Sequence, residues 1–259
     1  MSEVWESGDA YEPYVGRWSR LVAAKFLDWL DVAPQKRWLD VGCGSGALSA
    51  AILARCEPAS LIGIDPSPAY VAWAAAQIQD SRAHFVTGDA TDLPNQVFDI
   101  VVSGLVLNFV PDPADAVIAM RDVAPKGIVA AYVWDYSGRM DLMRHFWDAA
   151  VALDPSAAKL DEGHRFEICR PERLDSIWRD AGFTHVKTQA IDVPTVFRDF
   201  NDYWSPFLGG QGPAPGYAMS LDVEHRDALH DRIRAGLPTT SDGSIPLIAR
   251  AWAVQGRSA

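Results

Sequence analysis

The chain has 259 residues, 49% of them hydrophobic, enough to bury the core of one large α/β domain. A formal net charge of -11 argues against a protein that tracks phosphate backbones, because such proteins carry basic surfaces that release counterions on binding. Three cysteines, Cys43, Cys56 and Cys169, lack Cys-x-x-Cys spacing, and the sequence shows no secretory leader and no apolar run of about 18 residues; the expectation is a cytoplasmic protein with reduced thiols and no membrane partner.

Trp18, Leu21, Val22, Phe26, Trp29 and Leu30 recur at three-to-four spacing, predicting an amphipathic helix over 19–31 that ends before Pro34. A short apolar strand at 37–41 follows, then Gly42, Gly44 and Gly46 at alternate positions, then a helix over 48–55. The alternation continues with a strand at 61–65, a helix over 68–79 with Pro68 in its first turn, strands at 84–87 and 98–103, a helix over 115–123 and a strand at 127–134. Near-continuous apolar strands separated by helices indicate a parallel sheet covered on both faces. Right-handed crossovers place these strand ends on one edge, where open α/β sheets bind their ligands. Beyond Trp134 a helix over 140–153 carries Met143, Phe146, Trp147, Ala150 and Val151 on one face, and a polar loop follows. A helix over 171–181 closed by Gly182 precedes two last strands, 185–197 and 246–254. The interval 198–244, with a short helix over 223–235, is too long for a hairpin turn and reads as a lid or substrate-recognition insertion. The expected architecture is one α/β domain, 1–259: a doubly wound, Rossmann-like sheet of seven strands, mostly parallel with the last antiparallel. Residues 1–31 form an N-terminal cap segment that contains the first helix.

Alternating glycines leave a turn with little side-chain bulk, so its backbone can approach a ligand closely, adopt positive φ and aim amides at it from a helix N-terminus. Asp40, just before them, places a carboxylate that repels pyrophosphate and attracts an ammonium group. Asp65 closes the next strand 19 positions after Gly46, near the roughly 20-residue spacing expected for an acid that takes a ribose diol on its two oxygens.

Asp40-Val41-Gly42-Cys43-Gly44-Ser45-Gly46, taken with Asp65, resembles the acid-x-Gly-x-Gly-x-Gly motif of the class I S-adenosylmethionine-dependent methyltransferases. The resemblance implies S-adenosyl-L-methionine as methyl donor. Gly42, Cys43 and Gly44 would meet its methionine portion, Asp40 its ammonium, directly or through water, and Asp65, with Pro66 beside it, its ribose. Gly88-Asp89-Ala90-Thr91-Asp92-Leu93-Pro94 resembles the family's Gly-Asp-Ala-x-x-Leu-Pro segment, which assigns Asp89 and Ala90 to the adenine. Ser103 opens the loop beneath the transferring methyl, and Asn108 stands where many relatives carry histidine, so no general base is assigned there. Tyr11-x-x-Tyr14-Val15-Gly16-Arg17-Trp18-Ser19 resembles the N-terminal segment of small-molecule methyltransferases. Arg17 is then a partner for the donor carboxylate, while Tyr14 and Trp18 face the acceptor.

Methyl transfer from a sulfonium needs chiefly that the nucleophile be held about 3 to 3.5 Å from the methyl carbon, and no metal is expected. The histidines are scattered; His145 and His164 fall nearest the expected pocket, neither is read as catalytic, and the catalytic residues stay unassigned. Trp134, Tyr136, Tyr203 and Trp204 are read as the walls of an acceptor site suited to a small aromatic or apolar molecule, whereas Phe146 and Trp147 read as core. The expected function is methyl transfer by in-line displacement to an O, N or C atom of a small molecule, by a monomer or homodimer without nucleic acid. Two alternatives stay open: an NAD(P)-dependent oxidoreductase using Gly42, Gly44 and Ala47 as a degenerate Gly-x-Gly-x-x-Ala turn, and a non-catalytic binder of the same donor, hinted at by Asn108.

Overall fold

The computed structural model describes residues 16–209 and 212–258. Strand β1 (Arg37–Val41) buries every residue but its first, because Trp38, Leu39 and Val41 supply apolar side chains to both faces. It pairs in parallel with β2 (Ser60–Asp65) on one side and β4 (Ile100–Gly104) on the other, with Asp40 opposite Gly63 and Val102. β2 in turn pairs with β3 (Ala83–Thr87), and β4 with β5 (Ile128–Trp134), whose seven residues are all buried. With β6 (Thr184–Phe197) and β7 (Ile245–Arg257) they make a seven-stranded sheet in the order β3-β2-β1-β4-β5-β7-β6, the last strand antiparallel. This is the Rossmann-like arrangement that the alternation of strands and helices predicts.

The helices are α1 (Arg17–Leu30), α2 (Ala47–Arg55), α3 (Pro68–Gln77), α4 (Pro113–Asp122), α5 (Asp141–Leu153), α6 (Glu162–Arg165), α7 (Pro171–Asp180), α8 (Phe200–Trp204), α9 (Pro213–Ser220) and α10 (Val223–Gly236). Several boundaries are set by caps. Asp112 accepts from the amides of Ala114 and Asp115, so α4 starts at Pro113 rather than at 115. Strand β4 begins later than 98 because the Asp99 carboxylate turns to take the Arg37 amide (2.9 Å) and guanidinium (3.2 Å). The stretch expected to be a polar loop is instead a series of short helical turns, Pro155–Lys159, α6 and Glu167–Cys169, the first two capped by Asp154 and Asp161. No described helix is long and apolar enough to cross a membrane.

By contact the chain divides into two compact units, where the sequence reads as one domain with an insertion. One comprises Ser19–Val133, Ile168–Ile191 and the chain from Ala251; the other comprises Trp134–Glu167, Asp192–Arg250 and the described residues up to Trp18, and so pools the 198–244 insertion with α5 and α6. In the first unit Phe26 of α1 packs on Tyr132 of β5 at 4.7 Å, and Trp178 of α7, fully buried, donates its indole N–H to the Val129 carbonyl at 3.1 Å. The second unit has an aromatic core in which Phe146 stacks on Phe207 at 4.5 Å and Tyr203 lies 5.5 Å from Phe207. Trp178→Ala is expected to cost about 3–5 kcal/mol, since it opens a cavity under the sheet as well as losing a hydrogen bond. Urea denaturation followed by circular dichroism measures this, and a loss under about 1 kcal/mol would mean that the site collapses to fill the space.

Candidate active site

The turn after β1 is shaped by backbone that only glycine adopts at low cost. Gly42 has φ 73° and Gly44 φ 52°. The amides of Gly42 and Cys43 both donate to the Ile64 carbonyl, at 2.7 and 3.0 Å, which ties the turn to β2. A Cβ on Gly42 would collide with the Val106 side chain, whereas one on Gly44 would meet nothing within 4 Å. The turn therefore rests against the loop after β4 on one side and offers bare backbone on the other.

Asp65 locks this geometry. Its Oδ2 accepts the Gly44 amide and its Oδ1 the Ser67 amide, both at 2.9 Å, and its carbonyl accepts the Gly88 amide at 3.1 Å. A carboxylate oxygen has two lone-pair directions, so each oxygen keeps one for a further donor. Ser67 also caps α3, with Pro68 at the first helical position, which is why the strand turns sharply into the helix here.

Asp40 is 1% exposed. Its Oδ2 accepts the Ser49 hydroxyl at 2.7 Å, and its Oδ1 is buried without a hydrogen-bond partner among the described residues. Burial lifts its pKa from 3.8 to about 7; the Ser49 hydrogen bond opposes the rise, and the nearby Asp65 charge adds to it. Burial also raises the Cys43 thiol, with Asp40 and Asp65 adding to the effect, so the thiol stays neutral.

Asp89, exposed after β3, accepts the Thr91 amide (2.8 Å) and hydroxyl (2.6 Å) on Oδ1, which lowers its pKa and leaves Oδ2 without a partner among the described residues. Ser103 of β4 is fully buried and its hydroxyl has no partner among the described residues. Leu105 holds φ 63°, a strained value for leucine, secured by its amide donating to the Tyr132 carbonyl at 2.8 Å. Asn108, 9% exposed in the same loop, has an amide nitrogen likewise without a partner among the described residues.

Asp40, Gly42, Cys43, Gly44, Asp65, Pro66, Asp89, Ala90, Ser103 and Asn108 thus all lie at or just past the carboxyl ends of β1 to β4, within one unit. Tyr14 and the side chain of Arg17 lie outside the described residues. Trp18, Trp134, Tyr136, Tyr203 and Trp204 belong to the other unit. There the rings meet one another: Trp18 on Phe197 at 5.7 Å, Tyr136 on Phe166 at 5.7 Å, and Trp204 parallel to Phe200 at 6.4 Å. Tyr203 is fully buried and donates its hydroxyl proton to the Leu142 carbonyl at 2.8 Å. His145 sits half-buried in that unit with its pKa lowered by burial, and His164 is exposed beside Asp161. Ser49 and Val106 escaped the sequence reading, because their roles depend on Asp40 and Gly42 lying beside them in space. Ser67 was legible as a Ser-Pro helix start.

A methyltransferase-domain family matches residues 39–131. Over 92% of its length the chain is 35% identical to a trans-aconitate 2-methyltransferase of Streptomyces avermitilis, covering 93% of that protein. A trans-aconitate 2-methyltransferase of Methylobacterium radiotolerans is 29% identical over 85% of this chain and 86% of that one. The chain belongs to the class I S-adenosylmethionine-dependent methyltransferases. The fold agrees: the YcgJ protein of Bacillus subtilis superposes with a TM-score of 0.60 at 17% identity, covering 92% of this chain and 98% of that one.

S-adenosylmethionine is therefore the methyl donor of this methyltransferase, and nothing in these comparisons supports the nicotinamide alternative. Its residues fit the donor. The open side of Gly44 leaves room for a ligand, Asp65 has two free acceptor directions beside it, and Ser103 and Asn108 carry buried polar atoms without partners among the described residues. Among the described residues no three His, Cys, Asp or Glu side chains gather where they would hold a metal.

Because the native Asp40 pKa is raised, the folded chain holds a proton that the unfolded chain releases between pH 3.8 and about 7. Its contribution is complete below that window and is lost as pH rises through it, by at most about 1.4 kcal/mol per pH unit. Urea denaturation of the ligand-free methyltransferase across this range should show it losing stability relative to Asp40→Asn, with the two curves running parallel above about pH 7. Curves parallel throughout would place the Asp40 titration elsewhere.

Proposed function

We propose that this methyltransferase transfers the methyl group to a carboxylate oxygen of a small polycarboxylic acid of the trans-aconitate kind. Asn108 carries the reading. The loop after β4 presents a buried amide N–H without a partner among the described residues, where a general base would otherwise be sought. A carboxylate is already ionised at neutral pH and needs no base, while an amide donor can orient it. Two relatives that align over 85% and 92% of this chain bear the name trans-aconitate 2-methyltransferase, which supports the same acceptor class. Tyr136, Tyr203 and Trp204, expected as acceptor walls, pack on Phe166, Phe200 and Phe207, which weakens the case for an aromatic acceptor.

When bound, S-adenosylmethionine supplies a methyl group already activated as a sulfonium, so the chain's work is to bind, orient and exclude water. In this reading Asp65 takes one ribose hydroxyl on each oxygen, and the backbone of Gly42, Cys43 and Gly44 meets the amino-acid end. Asp40 attracts the ammonium through its field, because its own atoms are covered. Pro66 borders the ribose, Asp89 and Ala90 meet the adenine, and Ser103 lies beneath the methyl. We read the enzyme as cytoplasmic, monomeric or homodimeric, acting on a free small molecule; the net charge of -11 favours this over a nucleic-acid acceptor.

Radiolabelled donor should pass its methyl to trans-aconitate to give a base-labile ester. Label that enters phenols or amines but no carboxylic acid overturns the acceptor class. Asp65→Asn keeps the shape but exchanges one acceptor for a donor, and it should weaken donor affinity by about tenfold or more by calorimetry. Unchanged affinity removes Asp65 from the ribose. Donor affinity of the wild type should rise with pH up to about 7, the range over which Asp40 ionises, and be flat in Asp40→Asn.

A further inference from the structure

The sheet edge opposite the glycine turn carries a second feature that the methyl-transfer chemistry does not use. A cleft of about 700 Å³ opens there at the start of β1, β4, β5 and β6 and the end of β7. Its volume falls in the range of small-molecule sites. All of its lining residues belong to one unit.

Its charge runs against that of the chain. The sequence holds 34 acidic residues against 23 lysines and arginines, yet Lys36, Arg37, Lys126, Lys187 and Arg257 line this cleft against only Asp31 and Asp99. Lysine is rare in the chain, at Lys25, Lys36, Lys126, Lys159 and Lys187, and three of these five meet here. Asp99 is already engaged by Arg37 and feels the field of Lys36 as well, whereas Lys126, Lys187 and Arg257 have no ion-pair partner among the described residues. Gathering like charges from separate elements costs free energy unless an anion relieves it.

Backbone strain collects at the same place. Asp31 (φ 43°), Lys126 (φ 65°) and His185 (φ 53°) all line the cleft in the left-handed region. At Lys126 the strain is informative, because glycine would take that φ freely and a long cation stands there instead.

We propose that this cleft binds a small polyphosphate at a site separate from the donor site. Ammonium groups are compact point charges suited to phosphate oxygens, and the cleft's volume suits a small molecule, while the acidic surface elsewhere repels a long polyanion. Trp29, Val97 and Pro125 add apolar wall beside the cations, so the phosphate groups can belong either to an inorganic polyphosphate or to a nucleotide.

Calorimetry on the whole chain, with saturating S-adenosylhomocysteine to block the donor site, tests this with inorganic tripolyphosphate and with ATP. One equivalent of either should bind, with affinity falling steeply as salt is raised. Equal affinities assign recognition to the phosphates alone, and tighter ATP binding adds the apolar wall. Lys126→Gly, which preserves the left-handed turn, combined with Lys187→Gln should weaken binding tenfold or more and leave S-adenosylhomocysteine affinity unchanged. Arg257→Gln provides an independent variant with the same expectation. Absence of binding by both ligands, or wild-type affinity in both variants, overturns the proposal.

Discussion

The Asp65 carboxylate fastens the amide of Gly44 to one of its oxygens and the amide of Ser67 to the other. The glycine turn after β1 and the entry to α3 after β2 are thereby held to a common point, and the Asp65 carbonyl extends the tie to Gly88 after β3. Three neighbouring strand ends meet at one residue. Its side chain keeps two acceptor directions free, which the proposed contact to the donor ribose would use. A fixed acceptor loses little entropy on binding, which is why structure and recognition reinforce each other here.

Asp40 works differently. It is enclosed at the centre of the sheet with one oxygen on Ser49 and the other without a partner among the described residues, and its desolvation is a standing cost of the free fold. In the proposed reading the donor ammonium at the turn offsets that cost without touching the carboxylate, since field effects reach through a low-dielectric interior. Leu105 is a comparable investment in backbone, a left-handed leucine held by Tyr132 in the loop that also carries Asn108. Stability is given up at the edge where ligands are to be met.

The opposite edge shows that an overall charge says little about a particular surface. Cations from the beginning of one strand, the turn before another and the end of a third converge there only because a mixed sheet brings them together. In the second unit the convergence is apolar: Phe146, Tyr203 and Phe207, drawn from α5 and from the insertion, close on one another into a core. Trp204 and Tyr203 lie in sequence where a substrate wall is expected, yet their burial is that of packing residues.

The strands from β1 to β5, the glycine turn and the acids at 40, 65 and 89 were legible in the sequence, because apolar runs, turn residues and helix starts are written in adjacent positions. The seven-stranded sheet with its last strand antiparallel was legible too. The helical turns between 154 and 169 were missed, since Asp154 and Asp161 as caps look like any polar loop until the turns form. Ser49 on Asp40, Val106 behind Gly42 and the cation-lined cleft were legible nowhere. The sequence by itself determined which backbone each segment adopts and which chemical groups stand at its ends, because those depend on neighbours within a few residues. Tertiary structure alone decided which of those groups lose water, which find partners and which like charges are forced together, because these follow from packing between residues far apart in the chain.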